Sequence, residues 1–207
     1  MKRRVESLLL AILMVFTILP SNFTTVEAVD DAGIHLRIAN NDGIELTDGK
    51  VKISVQNNDS ALVSNSYISE ENVIYSDISK LENANNYRID ISYEGYLIYE
   101  KEFTASKRIE YQEITLEKDT FTTYAFSSDT PDSWRLNEST PYISTNISSD
   151  ALAGFSQTFY SSDKSIADVD NSGRVSINKA GNVTFTARLY KKQPDGGTVY
   201  KLSLIHI

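Results

Sequence analysis

Apolar residues alternate with polar residues in short runs along the first part of this 207-residue chain. In the clearest run, Ile34, Leu36 and Ile38 are separated by single polar residues. A period of two places one face of a β-strand in the core and the other in water. The pattern therefore predicts strands of an antiparallel β-sandwich. Runs of the same kind lie at 51–55, 89–91 and 114–116.

Turn-forming residues separate these runs. Asn, Asp and Gly favour tight turns because they tolerate the backbone angles that turns require. Short strands at spacings of about ten residues are typical of a sandwich or a barrel. We therefore predict a first β-sandwich over residues 31–118. The turn signals are Asn41-Asp42-Gly43, Asp48-Gly49, Asn57-Asn58-Asp59 and Glu94-Gly95.

One segment of this first module carries a family resemblance. Leu81, a short turn, a strand led by Tyr87 and the pair Gly95-Tyr96 occur in this order. The arrangement resembles the prealbumin-like modules of carboxypeptidase regulatory domains and collagen-binding B-type repeats. That resemblance implies a spacer or stalk. Some such modules carry a Lys–Asn isopeptide bond, but the closing segment 111–116 has no asparagine, so we expect none here.

A second resemblance covers residues 160–187. A Ser-Ser-Asp segment at 161–163 is followed by a Ser-Gly-x-Val strand ending at Val175 and an Ala-Gly turn at 180–181. This order is similar to group 2 bacterial immunoglobulin-like domains. The resemblance implies a second β-sandwich over residues 120–201 and an all-β chain of two tandem modules. Its signature turn residues are Asp170, Gly173 and Gly181.

The start of the chain has the pattern of an export signal. Three basic residues at 2–4 precede an apolar run over 8–19. A membrane anchor would need roughly 20 apolar residues, so this run is too short to span a bilayer. Val26-Glu27-Ala28 suits signal peptidase. We expect residues 1–28 to be a signal peptide, and the protein to be extracellular or on a bacterial cell surface, with membrane contact through that peptide alone.

Composition narrows the possible functions. The formal net charge is −8 and the chain has no cysteine. An acidic chain has no basic face for nucleic acid, so we expect no nucleic-acid partner. Disulfides, thiolate metal sites and cysteine nucleophiles are excluded by the missing thiols. The remaining expectation is a soluble exported protein, monomeric, whose sheets pack without covalent support.

Residues with catalytic or metal-binding chemistry are sparse. His35 lies on the polar phase of a strand without a sequence-predicted partner, so we expect it to face solvent. Asp168 and Asp170 resemble the opening of a calcium loop, but the twelfth position, where such a loop needs glutamate, is Lys179. A β-turn is therefore favoured, with looser calcium binding left open. We expect no catalysis, no cofactor and no metal.

The last six residues resemble a translated sequencing adapter. Leu202–Ile207 corresponds to the translation of a transposase mosaic-end adapter used to fragment DNA for sequencing. We expect the native sequence to stop near Lys201 and the protein to continue, because such modules occur in longer chains. The alternative is a natural final β-strand, since these residues are good strand formers.

These observations favour a structural or adhesive module of a bacterial surface or secreted protein, acting as a spacer or binding stalk. Partners would be cell-wall glycan or a host or other surface protein. The aromatic residues Trp134 and Tyr142 are the candidate ligand contacts. Two alternatives stay open. One is the accessory N-terminal region of a truncated exported enzyme, a glycan hydrolase or peptidase; the other is a carbohydrate-binding module, which an exposed aromatic platform would support.

Overall fold

The computed structural model describes residues 32–57, 60–62, 65–106, 108–136, 141–148, 152 and 154–207. The predicted signal peptide, residues 1–28, lies outside this described part. Residues 31–207 form one compact unit. Within the described part, no helix has the length and apolar character that crossing a membrane requires.

Nearly all regular structure in the described part is β-strand, which confirms the predicted all-β class. We call β1–β8 the first half and residues 117–207 the second half. The strands of the first half are β1 Ala32–Asn40, β2 Lys52–Asn57, β3 Ser60–Leu62, β4 Asn65–Glu70, β5 Val73–Leu81, β6 Asn86–Ser92, β7 Ile98–Thr104 and β8 Ile109–Leu116. Those of the second half are β9 Ser156–Ser161, β10 Ala167–Val169, β11 Val175–Ile177, β12 Thr184–Lys192 and β13 Thr198–His206.

A four-stranded sheet in the order β4-β5-β1-β8 forms one layer of the first half. Strand β1 runs antiparallel to β5, with Ile34 opposite Ile78. The same strand runs parallel to β8, with His35 opposite Tyr111. The prediction of purely antiparallel pairing is therefore wrong for β1 and β8. The chain reaches β8 only after β6 and β7 in the other sheet, and such a long crossover permits parallel pairing.

A seven-stranded antiparallel sheet, in the order β3-β2-β6-β7-β13-β12-β9, contains strands from both halves. The halves meet where β7 pairs with β13, with Tyr99 opposite Val199 and Ile98 opposite Tyr200. Tyr99 and Val199 are both buried. Opposed residues in a sheet project to the same face, so the inward faces of both halves lie on one side of this sheet.

The core confirms the predicted burial of the alternating residues. Ile34, Leu36 and Ile38 of β1 are at most 2% exposed. One continuous cluster of buried residues runs from β1 to β13 and includes both halves. The other predicted inward residues that are buried are Ile53, Val55, Ile89, Ile91, Ile114 and Leu116.

The predicted division into modules at 31–118 and 120–201 falls just after β8. One sheet and one core cross this division, while the boundary itself stays a prediction. The last residues complete β13, where Leu204 lies opposite Thr186 of β12. The adapter origin of Leu202–Ile207 also stays a prediction, because strand pairing does not depend on how a sequence arose.

Candidate functional site

The signature turn of the second half joins β10 to β11. Val169 and Val175 pair on either side of it and are buried. Within the turn, the Asp170 carboxylate oxygen Oδ1 accepts hydrogen bonds from the backbone N–H groups of Ser172 (2.9 Å) and Arg174 (3.0 Å). It also accepts one from the Ser172 hydroxyl (2.6 Å). One exposed carboxylate therefore satisfies most donors of this turn.

These hydrogen bonds give the turn a pH dependence. They lower the pKa of Asp170, with the Ser172 hydroxyl as the main cause. A carboxylate with a lowered folded-state pKa stabilises the fold at neutral pH, and this contribution is lost as pH falls into the acidic range. We expect the thermal unfolding midpoint of wild type to be lower at about pH 3 than at about pH 7. The midpoint of Asp170→Asn is expected to decrease less between the same two pH values.

Trp134 fluorescence follows this unfolding, because the chain has one tryptophan. Asp48→Asn, which removes an exposed carboxylate from a turn of the first half, is the matched control. An Asp170→Asn variant with the same pH dependence as wild type would contradict this role for the turn.

Gly173 and Gly181 hold the backbone close to its neighbours. The Gly173 carbonyl accepts a hydrogen bond from Ile143 N–H at 2.8 Å. A Cβ atom on Gly173 would lie 2.1 Å from the Ile143 carbonyl oxygen. A Cβ atom on Gly181 would lie 2.9 Å from Cδ1 of Ile166. The signature residues therefore serve close packing of the second half, which suits a structural role.

Trp134 is partly buried and packs against the core. Its ring centroid lies 5.8 Å from that of Phe185, which is fully buried. The indole also lines a cavity of about 340 Å³ that has mainly apolar walls, including Ile166, Ile177 and Val183. This position is that of a partly buried side chain packed against the core, and it differs from a fully exposed platform.

Tyr142 lies on a different surface. The residue is 58% exposed, and its backbone forms an isolated antiparallel bridge with Arg174 beside the signature turn. It lines a depression of about 240 Å³ with Ser172 and Phe159. This depression shares no lining residue with the cavity at Trp134. The structure thus leaves the two predicted contacts in separate places.

The region where β7 meets β13, which we call the joint, carries polar contacts between the halves. The Tyr99 hydroxyl donates a hydrogen bond to Asp195 Oδ2 at 2.7 Å. The Asp195 Oδ1 atom accepts one from Gly197 N–H at 2.9 Å. Burial, and then the bond to Asp195, raises the pKa of Tyr99. A Cβ atom on Gly197 would lie 2.4 Å from the Tyr99 ring, so only glycine at this position leaves room for the ring.

Ion pairs add to the contacts between strands here, and the pair of Arg188 with Glu100 connects the two halves. Arg188 of β12 pairs with Glu100 of β7, and both side chains are largely buried. The Lys191 ammonium lies 2.5 Å from the Glu117 carboxylate, and Lys201 lies 2.5 Å from Asp119. Each pair joins a residue of β12 or β13 to β7 or to the segment that follows β8. Charge pairs shielded from water hold their geometry more strongly than pairs on an open surface.

Sequence reasoning missed the joint. Its members lie in two stretches, 99–119 and 188–201, which are far apart in the chain. The pair Gly196-Gly197 predicts the β12–β13 turn, but it does not indicate that the Tyr99 ring packs against Gly197. Only the register of β7 on β13 brings these residues together.

His35 does have partners. Its ring stacks on Tyr111 at a centroid distance of 4.9 Å and its Nδ1 atom contacts the Asp77 carboxylate. The side chain is 32% exposed, so His35 faces solvent as expected. Its partners were not expected from the sequence, because they lie on the neighbouring strands β5 and β8. Asp168 pairs with Lys164 at 3.4 Å. In the part of the chain that is described, no three His, Asp or Glu residues lie close enough to hold a metal ion together.

Comparison with known families agrees with the geometry of the second half. Residues 150–188 match the family model of the intimin immunoglobulin-like domain. The match spans β9 to β11 and the start of β12, and it confirms the prediction of a bacterial immunoglobulin-like domain here. It indicates a structural module of the type found in bacterial surface adhesins. No curated protein matches the chain.

Proposed function

We propose that residues 31–207 act as a stiff spacer in the exterior part of a bacterial surface protein. The observation that carries the proposal is the joint, where β7 and β13 pair and continue one sheet from the first half into the second. The match to an adhesin-type module supports the same role. A spacer must resist bending between its parts, and a shared sheet resists bending better than a flexible linker does.

The physical basis of this stiffness is that bending would break several contacts at once. It would expose Tyr99, which is 1% exposed, and break its bond to Asp195. It would also separate Arg188 from Glu100. Burial of one large aromatic side chain alone contributes about 1.5–3 kcal/mol. The joint is therefore expected to stay closed in almost all molecules at equilibrium.

The proposal includes export, a monomeric state and the absence of catalysis in these residues. Cell-wall glycan or another surface protein is the proposed class of partner for the protein as a whole. An accessory role beside an exported enzyme shares the same spacer function, and sequencing the gene across the codon for Lys201 separates the two. Immunolabelling of intact bacteria tests the location: label on unpermeabilised cells is expected, and label only after permeabilisation would contradict it.

We expect the two halves to unfold in one cooperative transition. Trp134 fluorescence reports on the second half, and the amide NMR signals of Ile89 and Ile91 report on the first. Because one core and one sheet join the halves, urea midpoints from the two probes are expected to coincide. Midpoints that differ by more than the experimental error would show that the halves unfold separately and would contradict the proposed stiffness.

A further inference from the structure

Strand β8 forms one edge of the four-stranded sheet. All eight of its residues, Ile109–Leu116, pair with β1 on one side. Among the described residues, no strand pairs with the other side, and no backbone hydrogen bond reaches it from a turn or loop. On the unpaired side of an edge strand, alternate residues point their N–H and C=O groups outward. An extended chain laid along β8 would therefore meet a row of free donors and acceptors.

This edge lacks several devices that usually block strand addition. Natural proteins often block free edges with proline, lysine, a bulge or a very short strand. Strand β8 contains no proline, glycine or lysine, and its register with β1 is continuous. At one edge of the seven-stranded sheet, by contrast, β3 is only three residues long. Strand β8 is thus a long, regular edge that another strand can pair with.

The outer face beside this edge carries an exposed aromatic ring. Tyr111 is 83% exposed, and Ile109, two residues earlier on the same face, is 44% exposed. The Tyr111 ring stacks on the His35 imidazole, which in turn contacts the Asp77 carboxylate. This stacking restricts the ring before any partner binds, so less conformational entropy is lost on binding. Aromatic residues of this kind supply much of the binding energy at protein interfaces.

The charges along β8 favour a positively charged partner. Residues 109–117 include Glu110, Glu113 and Glu117 but no lysine or arginine. The Glu113 side chain is 77% exposed, and its ion pair with Arg37 is long, at 3.8 Å. Because such an exposed pair is weak, Glu113 can still attract a second cation. Edge charges repel strands that do not neutralise them, whereas opposite charges on paired strands attract.

A second copy of this chain is a poor occupant of the edge. Two β8 strands paired with each other would bring acidic strands together, because neither has a lysine or arginine to face Glu113. Like charges on opposed strands are destabilising. The occupant that the charges favour is therefore a strand from a different, basic segment.

We infer that β8 binds an extended, positively charged segment of a partner protein as a fifth strand of the four-stranded sheet. A lysine or arginine of that segment faces Glu113, and an apolar residue two positions away packs on Tyr111, since residues two apart share a face. Backbone hydrogen bonds supply affinity, and these two side-chain contacts supply specificity. The site goes beyond the spacer role and does not depend on it, so failure of the site would leave that role intact.

The test is an NMR titration of the purified chain with three synthetic peptides. The first, Val-Thr-Lys-Lys-Val-Thr-Lys-Thr, alternates valine and lysine on one face of an extended strand. The second has glutamate in place of every lysine. The third keeps the lysines but has proline in place of every threonine, so it has the same charge and cannot form a full ladder.

The first peptide is expected to cause saturable amide shifts centred on residues 109–116, with a dissociation constant of about 0.1–1 mM. It is also expected to slow hydrogen exchange of the outward-pointing β8 amides, because an added strand accepts hydrogen bonds from them. The glutamate and proline peptides are expected to bind about tenfold more weakly or less.

Three variants locate the binding on the edge. Tyr111→Ala is expected to weaken binding of the first peptide about tenfold. Glu113→Lys is expected to weaken it several-fold and to strengthen binding of the glutamate peptide. Tyr75→Ala is the matched control, because Tyr75 is a 41% exposed aromatic residue of β5, two strands from the edge. Its affinity for the first peptide is expected to equal that of wild type.

Several results would overturn the inference. They are the absence of saturable shifts up to about 5 mM peptide, equal binding of all three peptides, and unchanged binding in Tyr111→Ala. Binding without protection of the β8 amides would mean a charge contact without an added strand, which also contradicts it. Sedimentation of the chain alone tests the other occupant: a wild-type dimer that is lost in Tyr111→Ala would assign the edge to a second copy instead.

Discussion

Replacing Gly173 by alanine is expected to lower the free energy of unfolding by about 3–4 kcal/mol. Two physical effects add at this residue. Its φ of +90° is strained for any residue with a Cβ atom. The added Cβ would also lie 2.1 Å from the backbone oxygen of Ile143, which is fully buried and cannot move without disturbing the core. Urea unfolding followed by Trp134 fluorescence measures the loss.

Gly95→Ala separates the two effects. Gly95 has a similar φ of +86°, but no atom lies within 4 Å of its Cβ position. It therefore keeps the backbone strain and removes the collision, and a loss of about 1 kcal/mol is expected. Equal losses in the two variants would show that the contact with Ile143 does not stabilise the second half as described.

Tyr99→Ala is expected to cost about 3–5 kcal/mol, as other large-to-small changes of buried aromatic residues do. The change leaves a cavity at the joint and removes the hydrogen bond to Asp195. Because Tyr99 supports contacts of both halves, we also expect the urea midpoints of the two halves to separate in this variant. Fluorescence and amide NMR measured on the same samples check both effects.

Tyr111→Ala is the control for aromatic truncation. Tyr111 is 83% exposed, so its removal is expected to change stability by no more than about 0.5 kcal/mol. A Tyr99→Ala variant as stable as Tyr111→Ala would mean that the joint contributes little to the fold. Tyr99→Phe keeps the ring and removes the hydroxyl, so its smaller loss measures the bond to Asp195.

Local alternation was sufficient to predict the inward faces of several strands. Ile34, Leu36 and Ile38 are buried as expected, and so are Ile89 and Ile91 of the seven-stranded sheet. The positive φ of Gly173 also agrees with its predicted turn. These features depend on residues close in sequence. The period of two therefore predicts the buried faces, and the turn-forming residues predict the turn.

Strand β5 shows where the pattern was insufficient. Its inward positions include Ser76, a polar residue that is 1% exposed and lies between Ile74 and Ile78. One buried serine breaks the apolar alternation, so the pattern predicts this strand less clearly than it predicts β1. The described residues of 119–136 and 141–148 form isolated bridges in place of regular strands, and alternation predicts little for such segments.

The joint could not be predicted for a different reason. It depends on the pairing of β7 with β13, whose paired residues lie about a hundred positions apart. The sequence of a strand indicates which of its faces is buried, but it indicates little about which distant strand pairs with it. Trp134 shows the same limit, because its packing on Phe185 joins residues about fifty positions apart.

A distance measurement between the halves tests the proposed stiffness most directly. The chain has no cysteine, so spin labels can be placed at Ser79→Cys of β5 and Ser176→Cys of β11, both exposed strand positions. Pulsed electron paramagnetic resonance is expected to give one narrow distribution of distances between the two labels. The distribution is expected to broaden when the labelled chain also carries Tyr99→Ala. A broad distribution in the labelled chain without Tyr99→Ala would contradict the account, because the halves would then move independently.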